Sequence, residues 1–406
     1  MLSIFNVSLV VMIDRSKLYS VLAERLAESR AVALLGARQV GKTTLAKAYA
    51  QTHRCAYFDL EDPQALAELA EPFARLQSLL GQGRTVVIDE VQRRADLFPL
   101  LRTLIDRHAY NAQFLLLGSA SPMLLRQSSE SLAGRLGLLH MGGLALAEAP
   151  GLPGNALWLR GGFPRACLAG SDRAALRWLR DYLSLVIERD LPQLGLNVAP
   201  PVMQRFWRLL AHYHAQTWNA AEPARSLGLS EPTVRKYLDF LTSLQLVRQL
   251  PPWHENLAKR QVKAPKIYIR DSGLLHYLWG IEQADALWQH PKSGASWEGF
   301  ALEQVLHVAQ PDEAYFWATH AGAELDLLMF KRGLRVGVEF KRVDAPKMTA
   351  SMHIALQDLK LDALYVVYPG ERRYSLRAGD TAASNAPIPI EAVPLGDLAW
   401  MQADWS

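Results

Sequence analysis

The sequence predicts an α/β protein built on a parallel sheet with helices on both faces, and three observations predict it. Short apolar runs of strand length occur at residues 31–35, 55–58, 85–88 and 114–117, and segments with helical periodicity separate them. Strands that alternate with helices are typical of parallel sheets. The chain has 406 residues, of which 50% are hydrophobic and 21% charged, so it is long enough for two or three domains with apolar cores.

Composition and cysteine usage exclude several protein classes. The two cysteines, Cys55 and Cys167, lie far apart and have no Cys or His neighbours at zinc spacing, which argues against a disulfide scaffold and a structural zinc site. The apolar stretch at residues 2–11 is too short to span a bilayer. We therefore expect a cytoplasmic protein without a membrane partner. The formal net charge of +4 is too small to predict a nucleic-acid partner by itself.

The first part of the chain follows the pattern helix, strand, glycine turn, helix. A helical pattern begins at Asp14 and precedes the first strand, and a second helix is expected over residues 42–53. A Pro- and Gly-rich stretch around residues 150–154 ends this part of the chain. We place the first domain boundary there and predict an α/β domain over residues 1–155.

Two further domains are predicted after that boundary. Residues 172–250 are helical almost throughout, and the pattern stops at Pro251-Pro252. Beyond it, a helix is expected near residues 297–308 and strands near Tyr315, Leu325 and Val336. The predicted boundaries are therefore 156–252 for a helical domain and 253–406 for a second α/β domain. A basic run opens this last part, with Lys259, Arg260, Lys263, Lys266 and Arg270.

The residues after the first strand fit the phosphate-binding P-loop pattern. They read Gly36-Ala37-Arg38-Gln39-Val40-Gly41-Lys42-Thr43. The two glycines let the backbone turn so that amide hydrogens converge on phosphate oxygens, and the following helix adds its positive end. We expect Lys42 to reach the β- and γ-phosphates and the Thr43 hydroxyl to bind Mg²⁺.

An acidic pair completes the predicted nucleotide site. The run at residues 85–88 delivers Asp89 and Glu90 at the carboxyl end of a buried strand, where Asp89 can hold the metal and Glu90 can polarise water. A water-activating carboxylate favours hydrolysis over phosphoryl transfer to a metabolite. The sequence lacks the Asn-Lys-x-Asp guanine signature, so we expect ATP rather than GTP, with Mg²⁺ as the metal.

Two single residues are further candidates for the same site. Ser119 follows the strand run at 114–117 and either senses the γ-phosphate or caps the next turn. Arg135 is either an arginine finger, acting within the chain or across a subunit interface, or a solvated surface residue.

Together these residues resemble the prokaryotic AAA-type ATPases that carry a nuclease-like C-terminal domain. The likeness covers nearly the whole chain and implies an architecture rather than a pathway. We identify neither a second-sensor arginine in the helical region nor a pore loop, so ring assembly and substrate threading are not implied. The matching segments are the P-loop extended by Thr44, Ile88-Asp89-Glu90-Val91-Gln92, Gly118-Ser119, Leu132-Ala133-Gly134-Arg135, Gly161-Gly162-Phe163-Pro164, Lys259 through Lys266, Arg270-Asp271-Ser272-Gly273-Leu274 and Glu339-Phe340-Lys341.

Residues 218–250 resemble a winged helix-turn-helix. A helix over 221–227, a turn at Gly228-Leu229-Ser230 and a helix over 231–244 lead into a hairpin-like apolar segment. Ser230 can cap the second helix, and Leu238 and Leu241 suit its buried face. Its candidate DNA contacts are Thr233, Arg235, Lys236 and Tyr237. A winged helix used as a lid or a protein-contact module explains the same pattern.

The C-terminal part contains the Glu-x-Lys half of a PD-(D/E)xK nuclease site. Glu339 and Lys341 alternate with apolar residues, so strand geometry places both on one face. Asp326 lies in the preceding strand pattern and Glu298 in the preceding helix. In such a site Asp326 and Glu339 would chelate Mg²⁺, Lys341 would orient the attacking water, and Glu298 would complete the metal shell.

Two questions about this C-terminal set stay open. Glu303 competes with Glu298 for the helix position, but it falls five residues later and hence on a different helix face. Domains of this kind keep the fold with or without cleavage. We therefore carry two hypotheses: an ATP-dependent enzyme that acts on DNA, and an ATP-dependent switch or scaffold that binds protein partners or a second copy of itself.

Overall fold

The computed structural model describes residues 13–107, 113–119, 132–149, 151–152, 154–255, 261–376, 388–398 and 401. The apolar stretch at residues 2–11 and the basic residues Lys259 and Arg260 lie outside this part of the chain. Within it, no helix combines the length and the apolar character that crossing a membrane requires.

The first sheet has five parallel strands and confirms the predicted α/β class. Their spatial order is β2-β3-β4-β1-β5. Each run predicted as a strand is present and extends one or two residues further than predicted, and β5 was not predicted. The strands are β1 (Ala31–Gly36), β2 (Cys55–Asp59), β3 (Thr85–Asp89), β4 (Phe114–Ser119) and β5 (Leu136–His140).

Both faces of this sheet are covered, as the continuous apolar runs indicate. Alternate side chains of a strand point to opposite faces, so Val32 and Leu34 of β1 join one core while Ala33 and Leu35 join another. The first face packs on the helices before and after β1, and the second packs on the three helices that follow. These helices are Ser16–Glu28, Lys42–Thr52, Pro63–Glu68, Pro72–Gly81 and Leu97–Arg107.

The middle of the chain is helical and ends in a small sheet. The helices predicted near 221–227 and 231–244 are present as Ala221–Leu227 and Glu231–Ser243. A π-helical turn, Val186–Asp190, continues the long helix before it. The full set of α-helices is Gly154–Arg160, Pro164–Cys167, Asp172–Leu185, Leu191–Gln193, Pro200–His212, Ala221–Leu227 and Glu231–Ser243.

Three short strands form the small sheet of the middle region. They are β6 (Gln216–Thr217), β7 (Val247–Leu250) and β8 (Lys266–Ile269), in the antiparallel order β6-β8-β7. β8 lies beyond residue 252, where we placed a boundary, and pairs with β7 before it. The two domain boundaries stay a prediction.

A second, mixed sheet of six strands forms the C-terminal part. Its order is β13-β14-β12-β11-β10-β9. β12 pairs in parallel with β11 and with β14, and the pairs β9–β10, β10–β11 and β13–β14 are antiparallel. The strands are β9 (Glu313–Ala318), β10 (Glu324–Lys331), β11 (Leu334–Phe340), β12 (Ala363–Tyr368), β13 (Tyr374–Ser375) and β14 (Ile390–Pro394).

Helices cover both faces of this second sheet. Helix Ser293–Ala309 packs on the face that includes Leu327 and Val338, and helix Ala350–Asp358 packs on the opposite face. Alternate residues of β10 therefore belong to two different apolar cores. Asp326 of β10 and Glu339 of β11 are polar residues buried in this sheet. Two shorter helices, Ser272–Trp279 and Ala284–Gln289, connect this part to the helical region.

Candidate nucleotide site and carboxylate cage

The P-loop turns tightly between β1 and helix Lys42–Thr52. Gln39 and Gly41 have φ angles of 64° and 102°, in the left-handed region that glycine adopts without strain. Gly36 ends β1, and a Cβ there would lie 2.2 Å from the carbonyl oxygen of Met141. The two glycines of the motif are therefore required by the backbone, one for its conformation and one for a close approach.

Lys42 lies at the first position of the helix and folds back over the loop. Its Nζ donates hydrogen bonds to the carbonyl oxygens of Gly36 and Ala37 at 3.0 and 2.9 Å. Burial lowers the pKa of Lys42 to about 8, although the nearby carboxylates of Glu90 and Asp89 act in the opposite direction. Both of these hydrogen bonds are to neutral carbonyl oxygens, so an anionic phosphate group would compete favourably for the ammonium.

Asp89 ends β3 and receives hydroxyl groups from two directions. Thr43 Oγ1 donates to Asp89 Oδ2 at 2.7 Å, and Tyr57 Oη donates to the same oxygen at 2.6 Å. The structure thus brings together Thr43 and Asp89, the two residues expected to hold Mg²⁺. Carboxylate and hydroxyl oxygens suit that ion.

Tyr57 is a site residue that the sequence analysis missed. It lies in β2, whose register places it beside β3, and burial together with the bond to Asp89 raises its pKa. The phenol therefore remains a donor at neutral pH. The sequence feature that could have predicted this role is a tyrosine within β2, the strand that pairs with β3.

Glu90 directly follows Asp89 and has an unusual backbone. Its φ is 54°, in the left-handed region that non-glycine residues adopt uncommonly. Burial raises the pKa of Glu90, while the ammonium of Lys42 lowers it. Gln92 Nε2 donates a hydrogen bond to Glu90 Oε2. Glu90 is thus an acidic group beside Lys42 whose carboxylate is already held by an amide.

A cavity of about 260 Å³ adjoins this carboxylate. Glu90 and Arg38 line it from the first domain, and Tyr182 and Asp190 line it from the helical region. Arg38 Nη1 donates to Asp190 Oδ1 at 2.7 Å, which joins the P-loop to the π-helical turn. The hydroxyl of Tyr182 is buried and has no hydrogen-bond partner within the part of the chain that the structure describes.

The two remaining candidates of this site have different outcomes. Ser119 ends β4 opposite Gly36 in the register, and its side chain lies outside what the structure describes. Arg135 bonds to Asp106 at 2.6 and 3.1 Å and precedes β5.

The location of Arg135 argues against one of its predicted roles. Because β5 is parallel to β1 and Leu136 pairs with Ala31, Arg135 lies at the amino end of the sheet, whereas the P-loop follows the carboxyl end. The sheet separates the two by about five residues at about 3.3 Å each. The structure therefore argues against Arg135 as an arginine finger for the P-loop of its own chain. Its role as a finger for another subunit stays a prediction.

Four carboxylates of the C-terminal part lie close together and form what we call the carboxylate cage: Glu298, Glu324, Asp326 and Glu339. Asp326 and Glu339 are buried, whereas the side chains of Glu298 and Glu324 are 16% and 44% exposed. Glu324 was not among the predicted candidates. Glu298 comes from helix Ser293–Ala309, Glu324 and Asp326 from β10, and Glu339 from β11. Lys341 Nζ contacts Glu339 Oε2 at 2.8 Å. The predicted competitor Glu303 lies elsewhere, paired with Arg248 and Arg270.

A lysine that the sequence analysis left in a basic run occupies the middle of this cage. Lys266 Nζ lies 3.2 Å from Glu298 Oε1 and 3.4 Å from Asp326 Oδ1, and it also pairs with Glu324. The residue belongs to β8 and is 4% exposed. Burial alone would lower the pKa of Lys266, but the surrounding acidic groups raise it well above its ordinary value.

The carboxyl groups of the cage lie close together, and this raises the pKa values of two of them. Burial, and then the proximity of Asp326, raises the pKa of Glu298 to about 7 and that of Glu339 to about 8. Within the described ranges, no group of three or more His, Cys, Asp or Glu side chains is arranged to hold a metal ion. The residues therefore do not fit a divalent cation as they stand, and metal binding by Glu298, Asp326 and Glu339 stays a prediction.

The second helix of the predicted helix-turn-helix has its expected cap and core. Ser230 Oγ accepts the backbone N–H of Thr233, and Leu238 and Leu241 are buried. Arg235 and Lys236 are exposed. Our expectation that Tyr237 could contact DNA is wrong. Its ring is buried against Phe206, with the ring centroids 5.7 Å apart, and is not accessible to a partner.

Two glycine-containing motifs of the sequence meet at Asp271. Its carboxylate accepts the backbone N–H groups of Gly162, Phe163 and Leu274 at 2.8, 3.3 and 2.8 Å. Burial raises the pKa of Asp271 to about 6, although these bonds lower it. Gly161 has φ 78°, and a Cβ there would lie 2.1 Å from Asp271 Oδ1. These motifs join the start of the helical region to helix Ser272–Trp279.

Three family models match the chain in succession. Residues 28–149 match an AAA domain, residues 155–285 match a Domain of unknown function (DUF8612), and residues 293–391 match a Domain of unknown function (DUF4143). The AAA match covers the P-loop, the helix that begins at Lys42, and the strand end that carries Asp89 and Glu90. The chain therefore contains an AAA-type P-loop domain.

Known proteins resemble the chain at two levels. The Walker-type ATPase of Pyrococcus abyssi has a similar fold, with a TM-score of 0.50 and 18% identity over 66% of this chain and 96% of that one. Uncharacterised proteins of Mycobacterium tuberculosis and Mycobacterium bovis are each 45% identical over 366 residues, 90% of this chain and 82% of theirs. At that identity and coverage, the chain belongs to the same family as these two mycobacterial proteins.

Proposed function

We propose that the protein binds ATP with Mg²⁺ and hydrolyses it. The observation that carries the proposal is the bond between Thr43 Oγ1 and Asp89 Oδ2 at 2.7 Å directly behind the P-loop, with Glu90 beside Lys42. These residues supply a cation for the phosphates, two oxygen ligands for the metal and a base for water. Mg²⁺, when bound, neutralises charge that develops on the phosphate oxygens.

The chain's own residues then have distinct tasks. Lys42 exchanges its bonds with loop carbonyls for bonds to the β- and γ-phosphates, and Thr43 and Asp89 hold the metal. Glu90 leaves Gln92 and accepts a proton from the attacking water. The cavity beside Glu90 supports this arrangement, because about 260 Å³ leaves room for a phosphate group and its attacking water.

Two substitutions test the ATPase proposal. Lys42→Ala should abolish ATP binding, and Glu90→Gln should bind ATP but hydrolyse it at a small fraction of the wild-type rate. Binding is measured by calorimetry and turnover by phosphate release, with Lys347→Ala, an exposed lysine elsewhere, as the control. Rapid turnover by Glu90→Gln would show that another group is the base.

We further propose that the ATPase acts on DNA through helix Glu231–Ser243. Three features support this: a helix capped by Ser230, a short preceding helix ended by Gly228 in the left-handed conformation, and the small sheet β6-β8-β7 beside them. Arg235 and Lys236 are exposed on that helix. The bond between Arg38 and Asp190 gives the P-loop a direct contact with the helical region.

The DNA proposal predicts a rate and a salt dependence. DNA should stimulate ATP hydrolysis, and the double variant Arg235→Ala/Lys236→Ala should weaken binding and reduce the slope of log affinity against log salt by about one for each lost phosphate contact. The control is Arg173→Ala/Arg177→Ala, an exposed pair on helix Asp172–Leu185. If the ATPase rate is the same with and without DNA, the result would favour a switch or scaffold that binds protein partners.

That second candidate is favoured by one specific observation in the C-terminal part. An ammonium group, Lys266 Nζ, lies where the nuclease hypothesis places a metal. Plasmid and branched DNA with Mg²⁺ or Mn²⁺ separate the two: cuts that disappear in Lys341→Ala would establish a nuclease. Intact DNA under every condition would leave an ATP-dependent protein whose nuclease-like domain is catalytically silent.

A further inference from the structure

Lys266 reaches the carboxylate cage from a different part of the fold. It begins β8, the central strand of the sheet β6-β8-β7, and its register partners are Thr217 and Leu250. The cage residues belong to helix Ser293–Ala309 and strands β10 and β11. The ammonium therefore comes from the helical region, and the carboxylates come from the C-terminal sheet and the helix packed on it.

The cage oxygens that face Lys266 are already in use. Glu298 Oε1 contacts Lys266 and also accepts the hydroxyl of Tyr268 at 2.7 Å. Asp326 Oδ1 contacts Lys266 at 3.4 Å, while its Oδ2 accepts the backbone N–H of Phe340 at 3.1 Å. A divalent cation at this point would have to displace an ammonium and break these bonds.

The surroundings of Lys266 hold it in place. Its side chain is 5% exposed, and its Nζ lies 5.7 Å from the centre of the Phe316 ring. Tyr268 lies two residues along the same strand and so points to the same face, where it bonds to Glu298. An ammonium and a divalent cation repel each other at such distances in a buried site, so a divalent cation bound by the same oxygens of Glu298 and Asp326 would have to displace Lys266.

We propose that Lys266 is the cation held by Glu298, Glu324 and Asp326 of the carboxylate cage, while Lys341 pairs with Glu339, and that Lys266 excludes divalent metal ions from the cage. The cage then holds the helical region to the C-terminal sheet by ion pairing, and removal of the lysine charge converts it into a divalent-cation site of oxygen ligands. This inference goes beyond the ATPase proposal and does not rest on it.

The test measures binding of Mn²⁺ alone to the nucleotide-free full-length protein, by the electron paramagnetic resonance signal of free Mn²⁺. Wild type and Asp326→Asn should bind the same amount at millimolar Mn²⁺, because the cage contributes nothing in either. Lys266→Met should gain one Mn²⁺ ion per chain, and Lys266→Met/Asp326→Asn should lose it. Lys266→Arg, which keeps the charge, should behave as wild type.

Thermal unfolding gives a second measurement. Lys266→Met leaves several buried carboxylates without their cation, so its Tm should fall and should recover when Mn²⁺ is added. Lys292→Met removes a lysine that bonds to the carbonyl oxygen of His212, and its Tm should not respond to Mn²⁺.

Three outcomes would overturn the proposal. The first is that wild type binds an Mn²⁺ ion that Asp326→Asn does not bind. This comparison tests the proposal even if Lys266→Met does not fold. The others are a folded Lys266→Met that gains no ion and a Lys266→Arg that gains one. None of them depends on ATP, so failure here is distinct from failure of the ATPase proposal.

Discussion

Tyr57 is the residue whose role depends most on a single contact. Its hydroxyl donates to the same Asp89 oxygen as Thr43. In the proposed site the Thr43 hydroxyl would bind the metal, which would leave Tyr57 as the hydroxyl that keeps Asp89 oriented. Tyr57 is therefore a positioning residue in the proposed site, of the kind that fixes a metal ligand from behind.

We expect Tyr57→Phe to weaken Mg²⁺ use without weakening nucleotide binding. Loss of a hydrogen bond that orients a metal ligand typically costs about tenfold or more in metal affinity. The Mg²⁺ concentration for half-maximal ATPase activity should rise by about that factor, whereas ATP affinity in EDTA should stay the same. Tyr19→Phe, which removes a hydroxyl bonded to Thr52, is the control. An unchanged Mg²⁺ requirement would contradict the role.

His276 is a second residue with a defined chemical state. Its Nδ1 lies 3.0 Å from the carbonyl oxygen of Leu159, which only accepts, so Nδ1 carries the proton. Nε2 then accepts from Ser296 Oγ at 2.6 Å, and that oxygen accepts Trp158 Nε1–H at 2.9 Å. The ring is thus neutral and fully bonded.

This state predicts a loss of stability in acid. Burial lowers the pKa of His276 from 6.5 to about 4, so the unfolded chain binds the proton more tightly than the folded one. The contribution of His276 to the free energy of unfolding should be complete above pH 6.5 and should fall by about 3 kcal/mol as the pH drops towards 4. Urea unfolding at several pH values measures it.

Two variants assign this slope. His276→Gln has no imidazole and should show a smaller slope in this pH window, whereas Ser296→Ala, which keeps the imidazole, should retain it at lower overall stability. Equal slopes in wild type and His276→Gln would show that other groups set the acid limit.

At the scale of elements, the contact between Gly161 and Asp271 fixes how two helices start. Asp271 caps helix Ser272–Trp279 through Leu274 N–H and at the same time binds the backbone of Gly162 and Phe163. A side chain at Gly161 would collide with the carboxylate. The two glycine motifs recognised in the sequence therefore have a structural role at this junction.

We expect Gly161→Ala to destabilise the protein by about 3 kcal/mol, because it combines an unfavourable positive φ with a collision at a buried carboxylate. Gly170→Ala is the matched control, since a Cβ at Gly170 would meet nothing within 4 Å. Equilibrium urea unfolding compares the two. A loss below about 0.5 kcal/mol in Gly161→Ala would mean that the junction adapts readily.

At the scale of the whole molecule, polar contacts join parts that are matched by different family models. Arg38 of the P-loop binds Asp190 of the π-helical turn, and Lys266 binds the carboxylate cage. Glu303 binds Arg248 and Arg270. Changes at the nucleotide site therefore have a physical route to the helical region, and that region has one to the C-terminal sheet.

A double-mutant cycle measures the first of these links. Arg38→Ala and Asp190→Asn should be non-additive in unfolding free energy by about 1 kcal/mol, a modest value because the arginine side chain is 32% exposed and water screens the pair. The exposed pair Arg180 and Asp181 should give additive effects. Additivity at Arg38 and Asp190 would show that the contact does not couple the two parts.

The sequence by itself determined the elements and the local motifs. The P-loop, the strand that ends in Asp89, the capped helix after Ser230 and the strand that ends in Glu339-Phe340 follow from short-range patterns of glycines, periodicity and caps. These features depend on neighbouring residues and are therefore visible in a linear chain.

Only the tertiary structure decided which distant side chains meet. Tyr57 reaches Asp89 because β2 and β3 are in a particular register, and Arg135 lies away from the P-loop because β5 runs parallel to β1. Lys266 looks like one member of a solvated basic run, yet strand pairing buries it among carboxylates contributed by residues 298–339. Its role as a counter-ion is set by packing between parts far apart in sequence, and no local pattern encodes it.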